Sequence, residues 1–483
     1  MRKIVYFCLA LLLVALFGCS VNTVQGKPGP KPAAASDDTV PAYVKAEAKR
    51  VSGLVRAVQN PHTFTIIGVS DLHYLKGNAQ IGRALNEMAL GVKEISSQVP
   101  VDYKIAFGDY IYRGKGCENY RDGVEEMQAA TGILDKAFGQ SGNQIRLTGN
   151  HDANAMELDK GELKQFFTMH DLYGFVGKYN GNMITDSLNP EGNYGYIDIP
   201  EKKIRIICLN TSDFTDEGKP TVALDKKDHN KNTTTTHNMS KRQAEWLIET
   251  LKLKGIEDPE AWNILPVSHL VLSQTKGGLW KNTEANAAFL LSEYVQKHKG
   301  TFNFKGRELP YDYSGITPAR VLPYIHGHNH NFPVKNMNVS NIPKDVVRNE
   351  MVTIGLPNAC PLRNAKGNTY NKTEGTAKST AFSVIVIDLK KSVINIFCYG
   401  AGFERIIHFN SVKMKADASH VALHTALQGK VIWKSQDKKV VKAEEGKMKP
   451  VSAGNTLVVA EDEKGNCEYW NVAVEQGTVN LKL

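Results

Sequence analysis

Gln144-Ile145-Arg146-Leu147-Thr148-Gly149-Asn150-His151-Asp152 joins a short apolar run to a group of side chains that bind metals or carry protons. The apolar half reads as a buried β-strand, and the polar half falls where that strand ends. A strand that closes on such residues delivers them to one edge of a sheet. The same arrangement recurs along the chain. Phe64–Val69 precedes Asp71-Leu72-His73, and Tyr103–Phe107 precedes Gly108-Asp109. Ile264–Val267 precedes His269, and Val321–Ile325 precedes Gly327-His328-Asn329-His330. Five strand ends of this kind can converge on a single site.

Around these strands the pattern alternates with helices. Ala79–Ser97, Gly123–Phe138 and Glu284–His298 carry apolar residues at helical spacing. Ser240-Lys241-Arg242-Gln243 has the form of a capping box opening a further helix. Asn193–Leu209 reads as a hairpin, as does Phe382–Tyr399 with Lys390-Lys391 at its turn. Together these elements indicate a layered α/β domain over 61–410. The polar stretch between Thr211 and Met239 is expected to be a loop at the rim of the site. After Asn410 helical periodicity disappears, and short alternating runs over 411–483 read as a small all-β sandwich.

At 483 residues the chain exceeds what one core usually supports, so one large and one small domain are expected. Its 42% hydrophobic and 23% charged residues are ordinary for a globular protein. The net charge of +9 is spread along the sequence. It can help attract an anionic substrate or simply be a mildly basic solvated surface, and it does not argue for nucleic-acid binding.

Arg2 and Lys3 precede the apolar run Ile4–Phe17 and then Gly18-Cys19, the layout of an export signal. Leu16-Phe17-Gly18-Cys19 resembles a bacterial lipobox, which implies a signal peptide over 1–19 and a lipid on Cys19. Residues 20–60 follow as a tether and N-terminal segment, with Lys27–Ser36 semi-extended by composition. The expected location is the bacterial cell envelope, at the outer membrane. Seven cysteines occur without metal-site spacing, and those beyond Cys19 are expected as buried thiols.

Asp71 and His73 can reach one ion if the chain turns between them, and Asp109 has two oxygens with which to bridge two ions. Asn150 offers a carbonyl oxygen, and His269, His328 and His330 offer imidazole nitrogens. Seven nitrogen and oxygen ligands without thiolate suit two ions of Mn, Fe or Zn rather than Ca.

This ordered set resembles that of the calcineurin-like metallophosphoesterases, over roughly Thr63–Phe409. The resemblance implies a β-sandwich flanked by helices. It also implies that Asp71, His73, Asp109 and His330 hold one ion, and that Asp109, Asn150, His269 and His328 hold the other. His151 would contact the phosphate and protonate the leaving oxygen, with Asp152 holding its ring and Asn150 also near the substrate. Gly108-Asp109-Tyr110-Ile111-Tyr112-Arg113-Gly114 is similar to the phosphate-gripping motif of Ser/Thr protein phosphatases. Arg113 is then either a phosphate ligand or a surface residue. The same stretch fits the Gly-Asp-x-x-Tyr of purple acid phosphatases, so Tyr112 is either a ligand or a pocket residue. His326 is expected in the core, His229 and His237 in solvent, and Asn358-Ala359-Cys360-Pro361 as a turn or pocket wall.

In the last segment, Trp433-Lys434-Ser435-Gln436-Asp437, Val441, Gly446-Lys447-Met448, Gly454 and Val458-Val459-Ala460 resemble bacterial Ig-like domains of group 2. That implies a spacer or binding module. The expectation is thus an exported, lipid-anchored hydrolase in which metal-bridging hydroxide attacks a phosphate ester, preferably a diester. Alternatives are an extracytoplasmic phosphomonoesterase, or a surface binding protein with a vestigial metal site.

Overall fold

A computed structural model describes residues 40–112, 120–139, 142–154, 167–213, 239–270, 284–304, 307–336, 351–361 and 372–475. The signal, Cys19 and the Lys27–Ser36 tether, together with Arg113, His229 and His237, lie outside the described residues.

Two sheets stack face to face. Among the described residues the first has nine strands. At one end of it, with the last strand at the edge, run β1 (Thr63–Val69), β2 (Tyr103–Ala106) and β3 (Gln144–Arg146), all parallel. The second sheet contains β4 (Ile184–Thr185), β5 (Gly195–Ile199), β6 (Ile204–Cys208) and β7 (Asn263–Ser268). The short pair β8 (Lys299–Phe304) and β9 (Arg307–Asp312) stands apart from both. The second sheet resumes with β10 (Arg320–Val321), β11 (Tyr324–His326), β12 (Val334–Asn336) and β13 (Val352–Gly355). Phe64, Ile66, Ile105 and Ile145 from the first sheet meet Ile206, Leu265, Ile325 and Ile354 from the second in one apolar core. Burial of such side chains contributes roughly 1.5–3 kcal/mol each.

The expected single strand over Val321–Ile325 is two pieces, β10 and β11, both parallel to β7. Pro323 lies between them and has no N–H for the ladder, so the pairing register shifts across it.

Helices cover both outer faces. They are α1 (Ala42–Val58), α2 (Ala79–Gln98), α3 (Tyr120–Phe138), α4 (Met169–Phe175), α5 (Lys241–Thr250) and α6 (Glu284–Val295). On the second sheet, Leu247 of α5 and Leu290 of α6 pack with Ile207 and Ile264. Ser240 caps α5 by accepting the Gln243 N–H at 3.0 Å. The return half of the expected capping box is absent, because the Gln243 amide instead bonds Asn210 and Asp213. Residues 42–58, placed above within the tether and N-terminal segment, form α1. Val44, Ala48, Val51 and Val55 are buried along one of its faces, and Arg50 reaches the Cys398 carbonyl.

The first sheet continues through β14 (Ala381–Asp388), β15 (Val393–Gly400) and β16 (Arg405–Lys415) into the C-terminal strands. Those are β17 (Val421–Ala422), β18 (Val431–Ser435), β19 (Val441–Glu444), β20 (Lys447–Pro450), β21 (Gly454–Asp462) and β22 (Cys467–Glu475). β22 pairs with β16 in parallel, so the expected boundary at 410/411 falls inside one strand of a continuous sheet. Across from β18, β21 and β22 lies the three-stranded sheet β17-β20-β19. Met448, Val458, Trp470 and Val472 fill the space between. Leu457, Val459 and Tyr469, on the other face of the same strands, belong to the main core.

Candidate metal centre

β1, β2 and β3 are parallel, and β7 and β11 are parallel, so the chain leaves each sheet repeatedly at one edge. The residues that follow these strands meet there. Asp71, His73, Asp109, His328 and His330 have φ of 55°, 44°, 56°, 65° and 53°. None is glycine, and a left-handed backbone costs such residues of order 1–3 kcal/mol each where the conformation is sparsely populated. Strain gathered on five candidate ligands needs a dense set of braces.

The braces are backbone bonds and close approach. The Asp71 and His73 amides donate to the carbonyls of Gly108 and Asp109, at 3.1 and 3.0 Å. Gly327 N–H donates to His269 O at 3.0 Å, and His328 N–H to Asp71 Oδ2 at 3.0 Å. A side chain at Gly149 would place its Cβ 2.2 Å from the Asp109 nitrogen, so only glycine lets the two turns meet. At Gly327 a Cβ would lie 2.0 Å from Ser70 Oγ.

The result is two overlapping clusters. Asp71, His73, Asp109 and His330 form one, and Asp109, His269 and His328 the other, each with ligand atoms within 4.8 Å of one another. Asp109 is common to both. Its Oδ1 accepts the His151 N–H at 2.8 Å, while buried Oδ2 has no hydrogen-bond partner. Oδ2 instead lies 3.1 Å from His269 Nε2 and 3.8 Å from His73 Nε2. Asp71 Oδ1 is likewise buried without a hydrogen bond, 3.1 Å from His330 Nε2. Asn150 Oδ1 sits 3.0 Å from His269 Nε2 and 2.9 Å from His328 Nδ1. Buried carboxylate oxygens and imidazole nitrogens gathered in this way could hold a metal ion, and a nitrogen and oxygen donor set without thiolate is compatible with a divalent cation. All seven expected ligands are brought together.

Neighbouring groups select the tautomers. Phe107 O can only accept, so His269 donates from Nδ1 at 2.5 Å and leaves Nε2 toward the centre. Burial would raise the Asp71 carboxyl, but His330, His73 and His269 hold it well below its ordinary value. Asp109 is also held far down: His269 and His151 outweigh its burial. Burial pushes His73 down to about 4 and His328 down to about 3. Burial also disfavours a charged His269, yet Asp109 and Asp71 lift it to about 9. Two ionised carboxylates beside neutral His73 and His328 suit metal binding, whereas His269 must give up its Nε2 proton to ligate.

Asp152 does not hold the His151 ring. Its two oxygens accept the N–H groups of Asp109, Tyr110 and Gly149, at 3.0, 2.7 and 2.7 Å. It therefore ties the turn after β2 to the turn after β3. Burial and the Asp109 charge push its carboxyl up to about 7, against those amides. The His151 ring is held by the Tyr112 carbonyl, 2.9 Å from Nδ1. The Tyr112 ring stands edge-on to His73, with centroids 5.8 Å apart. A backbone acceptor leaves no trace in a motif, which is why the sequence pointed to Asp152. Ser70 was also missed; its hydroxyl donates to Asp71 Oδ2. His326 is fully buried with Nδ1 2.9 Å from Gly327 O, a core residue outside both clusters.

No family model matches the chain, and no curated protein matches it. Among solved structures it is similar to the crystal structure of phosphopantetheinyl hydrolase (PptH) from Mycobacterium tuberculosis. The identity is 14%, covering 62% of this chain and 91% of that one, with a TM-score of 0.27. A likeness that slight carries no weight beside the geometry.

Proposed function

We propose that the chain is a hydrolase of phosphate esters working with two divalent ions of Mn, Fe or Zn. The observation that carries this reading is the pair of clusters sharing Asp109, with the orphaned oxygens of Asp71 and Asp109 turned inward. Asp71, His73, Asp109 and His330 would hold one ion; Asp109, Asn150, His269 and His328 the other. When bound, such ions acidify water and polarise phosphoryl oxygens.

The chain's own residues supply the rest. The His151 side chain is 15% exposed and that of His330 19%, against 0–3% for Asp71, His73, Asp109 and His269, so His151 lies toward the open side. With Nδ1–H given to Tyr112 O, His151 keeps Nε2 for the substrate, 3.9 Å from Asp109 Oδ2. From there a protonated Nε2 can pass its proton to the departing ester oxygen. Asp152 keeps that ring in place indirectly, through the backbone turns of β2 and β3. Arg113 is proposed as a further grip on phosphate.

The reading extends to export and lipidation at Cys19, to an Ig-like C-terminal segment, and to a preference for diesters. Palmitate labelling that survives Cys19→Ala would remove the anchor. The central test is hydrolysis by metal-stripped chain resupplied with Mn²⁺ or Zn²⁺, comparing a chromogenic diester with its monoester. Metal-dependent turnover lowered by Asp109→Ala and by His151→Ala is expected. Two bound metals without turnover of either ester would contradict an ester hydrolase of this breadth. No bound metal and no turnover would favour a binding protein.

A further inference from the structure

The Asp71–His73 turn holds two left-handed residues within three positions and carries two of the proposed ligands. One side of it is braced by the carbonyls of Gly108 and Asp109. The other side rests on the loop Asn358–Cys360, nearly three hundred residues away in sequence. Ala359 N–H donates to Ser70 O at 2.8 Å, and Cys360 N–H to Asp71 O at 3.2 Å. Cys360 Sγ lies 3.9 Å from His73 O.

A loop that turns successive amides toward one neighbour must satisfy its carbonyls elsewhere. Here the accounting closes on Lys372, on Thr380 and on Asn358 itself, whose Nδ2 donates to Cys360 O at 3.1 Å. Lys372 Nζ donates to Asn358 O at 2.6 Å, to Asn358 Oδ1 at 3.0 Å and to Cys360 O. Thr380 Oγ1 donates to Ala359 O at 2.8 Å. An ammonium has three donors, and Lys372 spends all of them on this loop. We propose that Lys372 is a positioning residue: it clamps the Asn358–Cys360 loop, which holds the Asp71–His73 turn in its ligating conformation.

The residue is partly exposed while its ammonium is turned inward. Burial pushes that amine down to about 8, with Cys360, Cys398 and Asp71 opposing the shift. It still carries its charge at neutral pH. No motif contains it, and its role follows only from the bonds around it.

This inference rests on the two-metal reading for its consequence, but the clamp itself has a metal-free readout. Amide exchange over residues 70–74 would be compared in metal-stripped full-length wild type, Lys372→Met and Lys372→Arg. Lys372→Met is expected to speed exchange there at least tenfold, with the amides of residues 147 and 209, bonded to Ala106 O and Val267 O, unchanged. Lys372→Arg, which keeps the charge and several donors, should restore part of the protection. Calorimetric titration with Mn²⁺ should then show one of two ions bound at least tenfold more weakly by Lys372→Met. Wild-type protection over 70–74 in the Met variant overturns the clamp, whatever the Mn²⁺ result. Equal acceleration at 70–74, 147 and 209 also overturns it, since that marks general loosening. If Lys372→Met does not fold, Lys372→Gln, which removes the charge and shortens the reach, takes its place, and exchange over 70–74 unchanged from wild type in that variant overturns the proposal. Normal exchange effects with no Mn²⁺ uptake by wild type support the clamp and contradict the two-metal reading instead.

Discussion

At the residue scale, His151 and Asp152 are neighbours with separable roles. His151 touches the open side of the centre, so His151→Ala should keep the fold and the metals and lower kcat by about 10²–10⁴-fold. Asp152→Ala leaves three buried N–H groups without their acceptor. It should cost about 3 kcal/mol or more in stability, read by urea unfolding, and weaken both metals together. A His151→Ala variant that loses metal, or a stable Asp152→Ala variant, would exchange these assignments. The titrating ligands also shape the metal-free protein. His73 and His328 lie below the ordinary imidazole value of the unfolded chain. The unfolded state therefore takes up protons first, and their contribution is full above pH ~6.5 and lost as pH falls toward about 4. His269 is raised to about 9, so its contribution is full below pH ~6.5 and lost as pH rises through that value. The urea midpoint of stripped protein should accordingly fall on both sides of pH ~6.5, and a midpoint still climbing at pH 9 would be inconsistent with a paired His269.

At the element scale, the strands that carry the site were legible because each is an apolar run ending in ligands. Four of the five match, and the fifth breaks at Pro323, a residue visible in the sequence whose effect on the pairing is not. The ligand types were legible for the same reason. What could not be read were backbone partners, such as Tyr112 O and Phe107 O, and remote braces such as Lys372, because any residue can supply a carbonyl and many lysines are solvated. Helix α1 is a different case. Val44, Ala48, Val51 and Val55 carry the helical period, yet beside a Pro- and Ala-rich tether they read only as an N-terminal segment with no element assigned. Because Val51 is fully buried, Val51→Ala should destabilise the chain by about 2 kcal/mol in urea unfolding. A change within error would mean that α1 docks only loosely.

At the scale of the whole molecule, the C-terminal strands are not an appended bead. β16 runs from the centre of the first sheet into pairing with β22, and Gln436 Nε2 bonds Val334 O in the second sheet at 2.6 Å. A chain ending at residue 410 would cut β16 in mid-strand and strip Leu457, Val459 and Tyr469 from the main core. It should aggregate or lose cooperative unfolding. A soluble 1–410 fragment with full metal uptake would show that the segment is dispensable. The composition change after Asn410 was legible, but the shared sheet was not, because pairing between distant strands leaves no local periodicity.

The central claim is that two ions share Asp109, and metal stoichiometry tests it most directly. Chain stripped with chelator, reloaded with Mn²⁺ and freed of excess would be analysed for bound metal beside His269→Ala and Asp109→Ala. We expect two ions in wild type, one in His269→Ala and none held tightly in Asp109→Ala. Wild type without bound metal, or two ions retained by Asp109→Ala, would contradict the shared site.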